Sequence, residues 1–108
     1  MAKVKVTVVK RCNYNDLFPG KPPLKYAEDH MGPQCSSFKD GQEFIIDSAN
    51  MDVVPEGFCG WAYADIQRDI MHLLLGGNCD WVISPGANLT CCTDGFRPVI
   101  FKLERIED

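Results

Sequence analysis

The two ends of the chain constrain the fold most. From Lys3 to Lys10 apolar and polar side chains alternate, with Val4, Val6 and Val8 on one side and Lys3, Lys5 and Thr7 on the other. A period of two places successive side chains on opposite faces of a strand, so residues 3–10 are expected to form a strand with one buried face. The far end has the same habit. Over 96–106, Val99, Phe101 and Leu103 share one face, and Lys102 and Glu104 lie on the other with Ile100 and Ile106. Asp94-Gly95 stands between that run and a strand-like stretch at 89–93. Asp-Gly flanked by two such runs predicts a β-hairpin.

Between these ends the pattern changes period. Ala62, Ile66, Ile70, Leu73 and Leu74 recur at three- and four-residue spacing, with Asp65, Arg68, Asp69 and His72 on the other side. This predicts a helix over 61–75 with a solvated face, stopped by Gly76-Gly77, since glycine accepts the left-handed conformation of a helix C-cap. No Ser, Thr, Asp or Asn precedes it; Cys59-Gly60 stands there instead. Short strands are expected at 42–47 and 81–84, and a loop at 50–57. Residues 12–41 hold most of the turn signals, interrupted by a short helix around 24–30. The chain shows no internal repeat, and 108 residues suffice for one core. The expectation is a single α+β domain over 1–108, with four to five mostly antiparallel strands and one principal helix.

Composition removes several function classes. With 45% hydrophobic and 24% charged residues the chain is neither disordered nor collagenous nor a coiled coil. No apolar stretch approaches the roughly 20 residues that span a bilayer. Residues 1–25 carry six basic residues and one acidic, whereas 26–108 carry five basic and fourteen acidic. An acidic body argues against a nucleic-acid partner, which needs a basic face; a protein partner is left open. The first residues lack the apolar run of a secretory signal, so a cytoplasmic location is expected. Thiols stay reduced there, and six cysteines then point to metal binding or catalysis rather than a disulfide frame. In that setting the acceptor pattern Asn88-Leu89-Thr90 carries no meaning.

Cys59 is the most informative cysteine. It falls where the helix begins, and free backbone N–H groups with the positive end of the dipole favour a thiolate there. Gly57 and Gly60 let the backbone bend tightly around it. Cys91 and Cys92 are adjacent; on a strand they point to opposite faces, so one can join an interior site while the other faces outward. Cys35 lies in the loop Gly32-Pro33-Gln34-Cys35. Cys12 and Cys79 stand alone. No C-x-x-C occurs, so a metal site would gather Cys35, Cys59, Cys91 and Cys92 from separate segments, with His30 and His72 as further candidates. The motifs of serine hydrolases, P-loops and dinucleotide folds are absent. Asp94 reads as a turn residue, and Arg97 as a surface ion-pair residue, with an anionic ligand as its other use.

Two long segments carry a resemblance. Residues 57–66, Gly-Phe-Cys-Gly-Trp-Ala-Tyr-Ala-Asp-Ile, and 91–105, Cys-Cys-Thr-Asp-Gly-Phe-Arg-Pro-Val-Ile-Phe-Lys-Leu-Glu-Arg, are similar to the G-F-C-x-W-A-x-x-D-I and C-C-T-D-G-x-R-P-V-x-F-K-x-E-R motifs of a family of small uncharacterised bacterial and archaeal proteins. Gly32-Pro33-Gln34-Cys35 and Gly41-Gln42-Glu43-Phe44 resemble it too, so the likeness runs along nearly the whole chain. Tyr63 stands where that family is expected to have Trp. The resemblance names no reaction. It implies a stand-alone domain whose recurrent cysteines are Cys35, Cys59, Cys91 and Cys92.

Three functions follow as expectations. The first is a zinc ion or iron–sulfur cluster held by Cys35, Cys59 and the Cys91/Cys92 pair. The second is thiol redox chemistry, with Cys59 as reactive thiolate and Cys91 or Cys92 as resolving partner. The third is a non-catalytic interaction module in which reduced cysteines pack in the core.

Overall fold

The structure, a computed structural model, describes residues 2–25 and 32–107. Its elements run β1 (Ala2–Arg11), α1 (Tyr14–Leu17), β2 (Glu43–Asp47), α2 (Gly60–Leu74), β3 (Ala87–Cys91) and β4 (Val99–Glu107). One sheet of four antiparallel strands in the order β2-β1-β4-β3, with α2 on one face, makes this a single α+β domain. The first and last strands are its central pair.

The alternation at the two ends sets the register. Val4 stands opposite Ile46 on β2 and Arg105 on β4, Val6 opposite Phe44 and Leu103, and Val8 opposite Phe101. Val4, Val6, Val8, Ile46, Val99, Phe101 and Leu103 are fully buried and face the helix. From α2 come Ala62, Tyr63, Ile66, Ile70 and Leu73. Each large apolar side chain removed from water in this way contributes about 1.5–3 kcal/mol. One end of the core is aromatic. Phe58 stacks on Phe101 with ring centroids 5.5 Å apart, and Phe38 meets Phe58 edge-on at 4.9 Å. Tyr63 sends its hydroxyl to the Met51 carbonyl at 2.5 Å, so its polar tip is satisfied where the ring enters the core.

α2 starts and ends one residue earlier than expected, and the glycines after it provide its stop. Gly76 has φ 93°, its N–H donates to Leu73, and the Gly77 N–H donates to His72. These two bonds form a Schellman cap. Arg105 reaches across from β4 to the same helix end: Nη1 donates to the carbonyls of Leu73 at 3.0 Å and Gly77 at 2.6 Å, and Nη2 to Asn78 Oδ1 at 2.8 Å. A cation there also meets the negative end of the helix dipole.

Three expectations change. Residues 81–84 are turn and bend, leaving four strands in the sheet among the described residues. The expected helix around 24–30 is absent at residues 24 and 25, and the rest of it lies outside the described residues. A short helix instead follows β1, where the Asn13 side chain accepts from the Asn15 N–H. The hairpin forms between β3 and β4, but its connection spans 92–98 rather than a two-residue turn. Asp94 explains this: its Oδ1 accepts from the N–H groups of Phe96 and Arg97, folding the chain into a longer loop.

Replacing Arg105 by Ala removes three charge-assisted hydrogen bonds. Urea unfolding is expected to show a loss of about 2–3 kcal/mol. Arg105→Lys should recover only part of it, because an ammonium cannot reproduce the planar fork.

Candidate functional site

The site is assembled by three loops at the start of α2. The first carries Cys35. Its backbone is held by the end of β1, where Arg11 Nη1 donates to the Cys35 carbonyl at 3.1 Å and Gln34 Nε2 donates to the Arg11 carbonyl at 2.9 Å. Arg11 is itself braced by Asp40, whose Oδ1 accepts from its N–H and Nε. That side-chain bond holds the Asp40 carboxyl below the usual carboxylate range. From the other side, Arg97 Nε donates to the Gly32 carbonyl at 2.6 Å, and the Arg97 guanidinium sits 5.4 Å from the centroid of the Tyr14 ring.

The second loop delivers Cys59. Phe58 N–H bonds back to the Pro55 carbonyl, closing a turn whose third residue, Gly57, has φ 79°. That position demands a residue at ease in the left-handed region. The turn leaves Cys59 as the N-cap of α2, in extended conformation and without a side-chain capping bond.

The third loop follows β3 and carries Cys92. Asp65 on α2 anchors it, since Oδ2 accepts from the N–H and Oγ1 of Thr93 at 2.8 and 3.0 Å. One turn along, Asp69 Oδ2 accepts from Thr90 Oγ1 at 2.9 Å. Both aspartates had been expected on a solvated face; they are instead the ties between the helix and the β3 edge of the sheet. Asp65 and Thr93 lie in the segments 57–66 and 91–105, so this contact joins the two. Cys92 Sγ accepts from the Val99 N–H at 3.3 Å. Burial pushes the Cys92 thiol up, the backbone N–H groups of Val99 and Asp94 oppose this, and negative charge on Asp94 and Cys35 adds to it.

The three loops enclose a cavity of about 390 Å³. Cys35, Cys59 and Cys92 all line it, with Asp65, Asp94 and Arg97 as the charged groups and Phe38, Ala62 and Val99 in the walls. Trp61 stands at its edge, 85% exposed. Cys91 does not line it. The pleat turns Cys91 to the outer face, opposite Ile100, where it is exposed. Cys91, the last residue of β3, and Cys92, just beyond it, thus divide between the two faces, and Cys92 is the one inside. Cys12 and Cys79 lie elsewhere. His72 is exposed on the polar side of α2, and His30 lies outside the described residues. Among the described residues no group of three or more His, Cys, Asp or Glu side chains is placed to hold a metal ion.

Arg97 is the main correction. It is not a surface ion-pair residue: it is 7% exposed, and no salt bridge joins it to another described residue. Nothing in its local sequence signals burial, because the wall that covers it comes from Gly32 and Tyr14, far along the chain.

Compared with models of protein families, with curated proteins and with solved structures, the chain matches none. No helix of the described residues is long and apolar enough to cross a membrane.

Iodoacetamide labelling read by peptide mass spectrometry tests the two environments. At pH 8, Cys92 is expected to react more slowly than Cys91, with its rate climbing only at higher pH; equal rates would contradict the geometry. The stability counterpart has a definite sign. A thiol whose folded-state value is raised contributes stability that is complete below the unfolded value of about 8.5 and is lost as pH rises through the folded value.

Proposed function

We propose that this protein binds a soft metal centre, an iron–sulfur cluster or zinc, through Cys35, Cys59 and Cys92. The observation that carries the reading is that three cysteines from three separate segments line one cavity, with the Cys35 carbonyl held by Arg11, the Cys59 carbonyl by the Tyr63 N–H and the Cys92 sulfur by the Val99 N–H. Three thiols drawn from the whole length of a small domain suit a centre that also cross-links the fold. Both centres take thiolate ligands, of which this cavity supplies three, and a fourth ligand would come from outside that set. The three thiols as placed do not form a closed metal-binding group, so either centre would have to draw them together. Cys91, on the outer face, is left out of the ligand set. A cytoplasmic setting, in which thiols stay reduced, goes with this reading.

Elemental analysis and a UV–visible spectrum of protein purified without oxygen or chelator test it. Iron with sulfide and a broad visible band, or near-stoichiometric zinc, is expected in the native chain and lost in Cys59→Ser. Because Cys92 must release its proton to become a ligand, metal affinity is expected to rise with pH from neutral into the alkaline range. Metal-free, folded protein from the anaerobic preparation would overturn the reading.

A second reading is thiol redox chemistry in the same cavity. It is favoured by the lining of one cavity by Cys59 and Cys92. Cys59, at the helix start, would be the thiolate that attacks a peroxide or disulfide acceptor, and Cys92 would resolve the resulting adduct to a Cys59–Cys92 disulfide, two electrons and two protons passing to the acceptor. An alkylation rate for Cys59 no faster than that of a peptide thiol would remove Cys59 from that role.

A further inference from the structure

The cavity holds two features that the thiols do not account for. The first is Arg97. A guanidinium has five N–H donors and is costly to bury unless they are satisfied. Arg97 is more than nine-tenths buried, yet among the described residues only Nε has an acceptor, the Gly32 carbonyl. Among the described residues no fully buried side-chain nitrogen is left without a partner, so the remaining donors of Arg97 are not sealed off, and Arg97 is one of the residues that line the cavity. The second is the start of α2, a helix of 15 residues. Its first internal bond runs from the Tyr63 N–H to the Cys59 carbonyl, leaving the N–H groups of Gly60, Trp61 and Ala62 ahead of it. The Cys59 side chain does not cap them, and the first turn carries no acidic residue. Cys59, Trp61 and Ala62 line the same cavity as Arg97.

We infer that this cavity is a receptor for a small molecule bearing an anionic oxygen group, a phosphate or a carboxylate, held between the Arg97 guanidinium and the N-terminal N–H groups of α2. Both are donors of the kind that recognises such groups: a planar fork that meets two oxygens at once, and a helix end whose dipole favours negative charge. Each carboxylate in the wall has one oxygen tied to a neighbour, Asp65 Oδ2 to Thr93 and Asp94 Oδ1 to the N–H groups of Phe96 and Arg97, and no salt bridge joins either to Arg97 among the described residues. A volume of about 390 Å³ lies at the small end of ligand sites and limits the occupant to a small metabolite. The inference goes beyond the metal reading and does not require a metal to be present.

The experiment is an ¹⁵N NMR titration of the full chain, as purified without oxygen or chelator, with inorganic phosphate and separately with acetate, using chloride as the control. Saturable shifts of the Gly60, Trp61 and Ala62 amides and of Arg97 Nε–H are expected with at least one of the two anions and not with chloride. The two arms tell phosphate from carboxylate. Arg97→Gln should weaken binding about tenfold or more, the loss expected for a charge-assisted bond. Because Arg97 also braces the Gly32 loop, Gly60→Asp serves as an independent variant. An added Cβ at Gly60 meets nothing within 4 Å, and an acidic residue in the first turn suits the helix. It should fold with an unchanged or raised Tm while repelling the anion, again by about tenfold or more. No saturable shift with either anion, or binding that survives Gly60→Asp unchanged, would overturn the proposal. Metal content measured on the same variants keeps this result separate from the metal reading.

Discussion

The pairing of the first strand with the last is the constraint on which everything else rests. β1 and β4 form the centre of the sheet, and β2 and β3 are added at its two edges. The buried faces of the central pair provide Val4, Val6, Val8, Val99, Phe101 and Leu103, against which α2 packs. Neither strand has a buried surface without the other, and the helix has nowhere to place Ile66, Ile70 and Leu73 without both. A sheet closed by residues this far apart in sequence must meet its loop-closure entropy before its contacts form.

The site depends on the same sheet at one remove. Its three cysteines sit in loops, but no loop is left to its own devices. Arg11, at the end of β1, positions Cys35; Asp65 on α2 positions the segment after β3; Asp94 shapes the turn that brings Arg97 under the Gly32 loop. Rigid elements thus hold mobile-looking sequence in place through charged side chains, the usual way a small scaffold fixes a site. The walls also create the chemistry. Burial pushes the Cys92 thiol up, and Arg97 is buried at the same wall with one of its donors, Nε, tied to the Gly32 carbonyl.

Periodicity made the scaffold legible. The alternation of Val4, Val6 and Val8, the helical spacing of Ala62 to Leu73 and the glycines that stop α2 are local patterns, and each appears where its period requires. The stretch 81–84 misled, because a short apolar run is compatible with a strand even where no neighbouring strand is available to pair with it. Of the site, the position of Cys59 at a helix start and the division of Cys91 and Cys92 between two faces were readable from local spacing. Arg97, Asp65 and Asp69 were not. Their roles rest on partners between 21 and 65 residues away, and nothing near a side chain in sequence announces a partner that distant.

The segment that carries Cys35 is fastened in two ways. Arg11 and Arg97 donate to its backbone and Gln34 bonds back to Arg11, while Cys35 and Phe38 are buried in the same core cluster as the strands and α2. Lifting it away would pull Phe38 from its ring contacts with Phe58 and Phe101 as well as break the polar ties. This wall therefore opens together with the core rather than ahead of it, and the cavity keeps its shape for as long as the aromatic end of the core stays packed.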